Sequence, residues 1–282
     1  MKLGVITDCF KLPVKDSIEL ASKLGFSGVQ IYATGGEFSP DALDSAKREE
    51  YKKLLKDCGL EISALCGDMG GHGFQIAEDN PERIEKTKAI IDLAYDFGTT
   101  VITTHIGVIP ANKNDPKYAV MLDAMNQCGR YAKEKGITLA IETGPENAVT
   151  LLQFLKDTEG GVGVNLDPAN FVMVTGQDPV EAVEILGDYI VHTHLKDGVM
   201  LKQTDPKIIY DCFAEGGIDA LNVADYFLET PLGEGDVDFP KYIEALRKIG
   251  FDGYLTVERE TGADPKADII LAKETIEKLL GE

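Results

Sequence analysis

The sequence predicts an α/β protein: a single (β/α)8 TIM barrel over residues 1–282, with a long insertion between its seventh strand and its seventh helix. Three observations predict it. Short β-branched runs alternate with helix-patterned stretches from end to end, the alternation repeats eight times, and no shift in composition marks a second domain. The first turn, "TDCFKLPVKD", also lacks the glycine fingerprint of an open dinucleotide-binding sheet.

Taken in order, "KLGVIT" (2–7) reads as a strand and feeds a helical pattern at 15–24, which ends in "KLGFSG". The strand "GVQIYA" (28–33) precedes a helix at 41–58 closed by "DCGLE", and "EISALCG" (61–67) precedes one at 81–97 closed by "DFGTT". "TVITTHI" (100–106) leads to 116–135 with "EKGIT" behind it, "ITLAIE" (137–142) to 147–157, and "VGVNLD" (162–167) to 179–187. The last two strands, "YIVHTHL" (189–195) and "YLTVER" (254–259), precede helices at 239–249 and 265–280. Asn80-Pro81, Asp115-Pro116 and Asp178-Pro179 are start signals, because a proline fits the first turn and a short polar side chain caps it. Glycines after the helices suit the left-handed turn that ends them. The interval 196–238 exceeds an ordinary connection of about 2–6 residues. Placed after the seventh strand, it is positioned to cover the barrel mouth or to act as structural padding.

A formal charge of −20 disfavours nonspecific binding to nucleic acid, which needs a basic surface. Five widely spaced cysteines with no Cys-x-x-Cys pair suggest a reducing compartment. "MKLGVITDCF" enters a strand at once, unlike a signal peptide, and no apolar run reaches the roughly 20 residues needed to span a bilayer. The expectation is a cytoplasmic protein acting on a small molecule, with no nucleic-acid or membrane partner; homo-oligomerisation is left open.

Side chains alternate across a strand, so each late strand divides into two columns. Ile137, Leu139 and Ile141 oppose Thr138, Ala140 and Glu142; Val162, Val164 and Leu166 oppose Gly163, Asn165 and Asp167. Val191, Thr193 and Leu195 oppose His192, His194 and Lys196, and Leu255, Val257 and Arg259 oppose Thr256, Glu258 and Glu260. Apolar columns suit packing under the outer helices, which turns the polar ones toward the barrel axis. Glu142, Asp167, His194 and Glu258 then meet at the C-terminal rim, where this fold builds its sites. Three carboxylates so close repel each other unless their pKa values rise or a cation neutralises them. With one imidazole they make an oxygen-rich donor set suited to one divalent ion: Mn²⁺ foremost, with Mg²⁺, Co²⁺ or Zn²⁺ as alternatives.

The phrases "IETGPE", "VGVNLDPANF", "HTHLKDG" and "LGEGDVDFPKYIEALRKIGFDGYLTVERE" give the whole chain a resemblance to the xylose-isomerase-like barrel superfamily, in its sugar phosphate isomerase/epimerase branch. Relatives resembling ketose 3-epimerases use a Glu, Asp, His, Glu metal quartet, which maps onto Glu142, Asp167, His194 and Glu258. The resemblance makes His194 the ligand within "HLKD" and leaves His192 to pack beneath the site or to hydrogen-bond a ligand carboxylate. Two departures stand out. Asn170 occupies a position where relatives often carry histidine, and it cannot shuttle a proton. "FLETPLGEG" lacks the histidine of the related apurinic endonucleases, which argues against that hydrolytic chemistry.

Substrate-binding candidates are His72 in the glycine-rich "GDMGGHGF", His105 at the end of strand four, Glu146, Asn170 and Lys196. Each has a plainer reading as a loop residue, core histidine or surface charge. The resemblance implies a metal-dependent isomerase or epimerase of a sugar or sugar phosphate. It works through an enediolate, with Glu142 and Glu258 as catalytic acid and base. Alternatives are a metal-dependent lyase or dehydratase on a keto-inositol or keto-glycoside, an endonuclease-like hydrolase, and a noncatalytic sugar-binding barrel.

Overall fold

In the computed structural model, which describes residues 1–217 and 221–281, the alternating strands close into one parallel barrel. Its strands are β1 (Lys2–Ile6), β2 (Gly28–Tyr32), β3 (Glu61–Cys66), β4 (Val101–Thr104), β5 (Thr138–Glu142), β6 (Val162–Leu166), β7 (Ile190–Leu195) and β10 (Tyr254–Val257). The order around the barrel is β1-β10-β7-β6-β5-β4-β3-β2. All eight expected strands form, each trimmed at its ends where the chain leaves the hydrogen-bonded ladder.

The outer helices are α1 (Val14–Lys23), α2 (Ser45–Cys58), α3 (Asn80–Phe97), α4 (Pro116–Glu134), α5 (Ala148–Asp157), α7 (Pro179–Leu186), α9 (Phe239–Lys248) and α10 (Pro265–Leu280). Asp115 and Asp178 cap α4 and α7 by accepting from the Lys117 and Val180 backbone N–H groups. Asn80 does not cap α3: it lies inside the helix, and its amide donates to the Phe74 carbonyl instead. A short helical turn, α6 (Pro168–Asn170), follows β6 directly. Among the described residues no helix is long and apolar enough to cross a membrane.

The main core lies between strands and helices and takes in Leu139, Ile141, Val164, Leu166 and Leu255, the columns expected to face outward. Val191 departs from that expectation. The β6–β7 register shifts between Val164 and Asn165, whose partners are Ile190 and His192, so Val191 is an extra residue opposite the step. It turns inward and packs with Ala64, Val101 and Ala140 in a small second core.

Within the insertion, residues 218–220 lie outside the described residues, as does residue 282 at the end of the chain. β8 (Asp197–Met200) follows β7 almost without interruption and pairs antiparallel with β9 (Phe227–Thr230), while α8 (Pro206–Ala214) lies between them in the chain. Asp197 is the root of this excursion. Its buried carboxylate accepts from the backbone N–H groups of Gly198, Gly233, Gly235 and Val237, tying the entry of the insertion to its exit. Position 235 has to be glycine, because a Cβ there would come within 2.2 Å of an Asp197 carboxylate oxygen.

Candidate metal centre

Glu142 ends β5, Asp167 follows β6, His194 lies near the end of β7 and Glu258 follows β10, so four strands deliver one side chain each to the same rim. All four are buried, and one donor atom from each lies within 4.8 Å of the others. His194 Nδ1 stands 2.8 Å from Glu258 Oε2, 3.5 Å from Asp167 Oδ2 and 3.5 Å from Glu142 Oε1.

Three of these atoms, His194 Nδ1, Asp167 Oδ2 and Glu258 Oε2, are buried without a hydrogen-bond partner. The remaining atoms of the same groups are well served. Asp167 Oδ1 accepts from the Ala169 and Asn170 N–H groups at 2.8 and 3.1 Å. His194 Nε2 donates to Gln30 Oε1 at 3.1 Å, with Asn165 Nδ2 alongside at 3.2 Å. A proton on Nε2 leaves the Nδ1 lone pair facing carboxylate lone pairs, an arrangement that only a proton or a cation between them relieves. The residues present therefore fit a divalent ion, both in donor chemistry and in the atoms left unpaired.

Electrostatics agree. Burial works against charge on His194, but Glu258 and Glu142 more than offset it and hold the imidazole well above the usual histidine range. Burial likewise resists charge on Glu142 and Glu258, yet His105 and His194 for the first, and Lys196 and His194 for the second, hold both carboxyls below their ordinary value. Without an ion the cluster keeps a proton on His194 to balance its carboxylates; a dication performs the same neutralisation more completely.

His192 sits one layer deeper. Its Nδ1–H donates to Asn165 Oδ1 at 2.8 Å, and Nε2 accepts from the Thr256 hydroxyl at 2.9 Å. Burial, reinforced by nearby His194, holds it well below the usual histidine range. It reaches the ligands through Asn165, whose amide donates to Glu142 Oε2 at 3.3 Å, rather than touching a ligand carboxylate itself. In the sequence, Asn165, Gln30 and Thr256 carry no stronger signal than a polar side chain in an inward column.

A cavity of about 600 Å³ opens above the cluster, and His105, Asn170 and Lys196 line it. His105 Nε2 is 3.6 Å from Glu142 Oε1, Asn170 Nδ2 is 3.5 Å from the same oxygen, and Lys196 Nζ is 3.4 Å from Glu258 Oε1. Lys196 is buried and held above the ordinary lysine range because Glu258 and Glu260 outweigh the cost of burying its charge. The other two candidates lie off the cavity lining. His72 occupies an adjoining cleft and meets Glu215, just past α8, at 2.8 Å. Glu146 is buried, and burial pushes its carboxyl up to about 8.

Arg259 is also buried and lies off the cavity lining, paired with Glu229, which borders the cavity, and with Asp268, both at 2.8 Å. All five cysteines are free; Cys66 lines the cavity, but burial drives its thiol far above the ordinary range and leaves it unreactive.

Together the fold and the cluster define a parallel α/β barrel with a candidate divalent-metal centre at its strand ends. The family model for the xylose isomerase-like TIM barrel matches residues 18–279, and the chain belongs to that family. The chain is similar to the xylose isomerase domain protein from Planctomyces limnophilus, with 25% identity, coverage of 99% of this chain and 96% of that one, and a TM-score of 0.80. A D-tagatose 3-epimerase-like protein shares the fold at 20% identity and a TM-score of 0.76, covering 100% of this chain and 97% of that one. The inosose dehydratase of Geobacillus thermodenitrificans is 24% identical over 82% of this chain and 80% of its own length.

Proposed function

We propose that the protein is a divalent-metal-dependent isomerase or epimerase of a hydroxyketone sugar. The observation that carries this reading is the set of three buried, partnerless donor atoms, from Asp167, His194 and Glu258, converging beside Glu142. Glu142, Asp167, His194 and Glu258 would hold the ion. When bound, it supplies Lewis-acid polarisation of a carbonyl, worth several kcal/mol toward removing the adjacent C–H proton.

The chain itself moves the proton. Glu258, kept ionised by Lys196 at 3.4 Å, takes it from the substrate carbon. Glu142, two barrel positions beyond β7, returns one from the other side, drawing that proton from the His105 imidazole 3.6 Å away. Return to the opposite face of the same carbon gives epimerisation; return to the neighbouring carbon gives isomerisation. Asn170 orients the substrate oxygens, and Gln30 fixes the His194 ring by accepting from its Nε2–H. Manganese suits this oxygen-rich set best.

The similarity to inosose dehydratase favours a second reading, in which the same proton removal expels a β-hydroxyl. Both are tested by incubating metal-loaded protein in D₂O with ketoses and keto-inositols and following NMR and product mass. Deuterium at one carbon of a new sugar whose mass differs from the substrate only by the isotope supports isomerisation or epimerisation, loss of water supports the second reading, and exchange into none of them rejects both.

A further inference from the structure

The cavity over the cluster has two unlike halves. Its floor is carboxylate, imidazole and amide, whereas the insertion supplies a roof of Tyr210, Phe213, Val223, Phe227 and Leu228. Phe213 and Leu228 remain 57% and 53% exposed while lining that cavity. Large apolar side chains held at the rim of an acidic pocket call for an apolar contact. A bare sugar provides little of it: its C–H faces are small and nearly every carbon bears a hydroxyl, so most of Phe213 and Leu228 would stay wet.

The charge of the lining points the same way. Among the described residues, Asp68, Glu142, Glu229, Glu258 and Glu260 line the cavity, against Lys196 and two imidazoles. Lys196 is already engaged by Glu258 and by Glu260 at 2.7 Å, and the Arg259 guanidinium is engaged by Glu229 and Asp268. A phosphate dianion would find carboxylates where it needs guanidinium forks or free backbone N–H groups.

Resting on the floor as a hydroxyketone site, we infer that the substrate is an uncharged hydroxyketone sugar bearing an apolar substituent, such as an aryl aglycone, that lies under the insertion, and that it is not a sugar phosphate. An aromatic substituent stacks on Phe213 or Phe227 and covers Leu228, removing from water the surface that the folded protein leaves exposed.

Titration calorimetry on the metal-loaded protein tests this with two keto-glucosides identical except for a methyl or a phenyl aglycone, and with fructose against fructose 6-phosphate. The phenyl compound is expected to bind at least tenfold more tightly than the methyl one, with a more negative heat-capacity change. Fructose 6-phosphate should bind no more tightly than fructose. Phe213→Ser and Leu228→Ser, both at exposed positions that tolerate a polar side chain, should narrow the phenyl-to-methyl ratio to below threefold. Equal affinity for the two aglycones, a ratio unchanged by both variants, or a preference for the phosphate overturns the inference. Binding requires no turnover, so the result separates from the proposed reaction. An aryl preference without deuterium exchange would sink only the proton transfer; exchange into plain ketoses without aryl preference would sink only the substrate class.

Discussion

Glu258 and Arg259 are chain neighbours, yet they point to opposite sides of β10 and into two clusters of buried charge built on different terms. Around Arg259 every charge has its answer. The guanidinium donates to Asp268, Glu229 and Thr261, and Glu229 also accepts from the Glu260 backbone N–H. Around Glu258 three carboxylates share one imidazole, and three donor atoms face one another unpaired. Arg259 and Glu229 are as buried as the quartet, with only Asp268 part-exposed, so burial does not distinguish a structural ion pair from a functional centre. Converging unmet bonding capacity does, because three such donor atoms left facing one another need a further partner to complete the set.

The sharpest way to break this contrast is to neutralise one member of each cluster. Glu258→Gln removes a positioned acid–base group, and solvent-exchange NMR should show a rate loss of about 10²–10⁴ with a circular-dichroism spectrum unchanged from wild type. Near-normal exchange would deny Glu258 the proton. Arg259→Met should do the reverse. It strands Glu229 and Asp268 without their cation, a loss of roughly 3–5 kcal/mol read by chemical denaturation, because a broken buried pair leaves an uncompensated charge. A change within about 0.5 kcal/mol would mean that the cluster contributes nothing to stability.

The smaller effect concerns pH. In the metal-free protein the raised His194 pKa stabilises the fold fully below about pH 6.5, the unfolded value, and that contribution is lost as pH rises through the folded value. Metal affinity has the opposite slope, since the ion must displace this proton. Manganese binding should tighten by up to about tenfold per pH unit between pH 6 and 8 and release a proton, seen by calorimetry in buffers of different ionisation heat. A pH-independent affinity would remove His194 from the ligand set.

Much of this was legible in the chain. Parallel strands buried on both faces read as β-branched runs, and where a polar column interrupts one at its end, as at Glu142 and His194, the interruption marks the rim. The quartet could be located because each member closes a strand. Less visible was what depends on long-range register. Val191 turns inward because of a one-residue step against β6, and no local pattern announces a bulge that only the pairing with another strand creates. The pairing of "DGVM" with "FLET" joins segments separated by a helix and a long connection, and neither is apolar enough to read as a strand alone. Gln30 and Asn165 were unassigned because a polar residue inside a barrel acquires its meaning only from the partner across the axis.

The knot at Asp197 has a further implication. Because its carboxylate fastens the two ends of the excursion side by side, the chain between Met200 and Phe227 hangs from a closed neck. Doubling the length of such a pendant segment adds only about 0.6 kcal/mol of closure entropy. The canopy can therefore be rewritten at little thermodynamic expense while the hearth beneath it stays intact, so divergence in ligand taste need not disturb the underlying reaction.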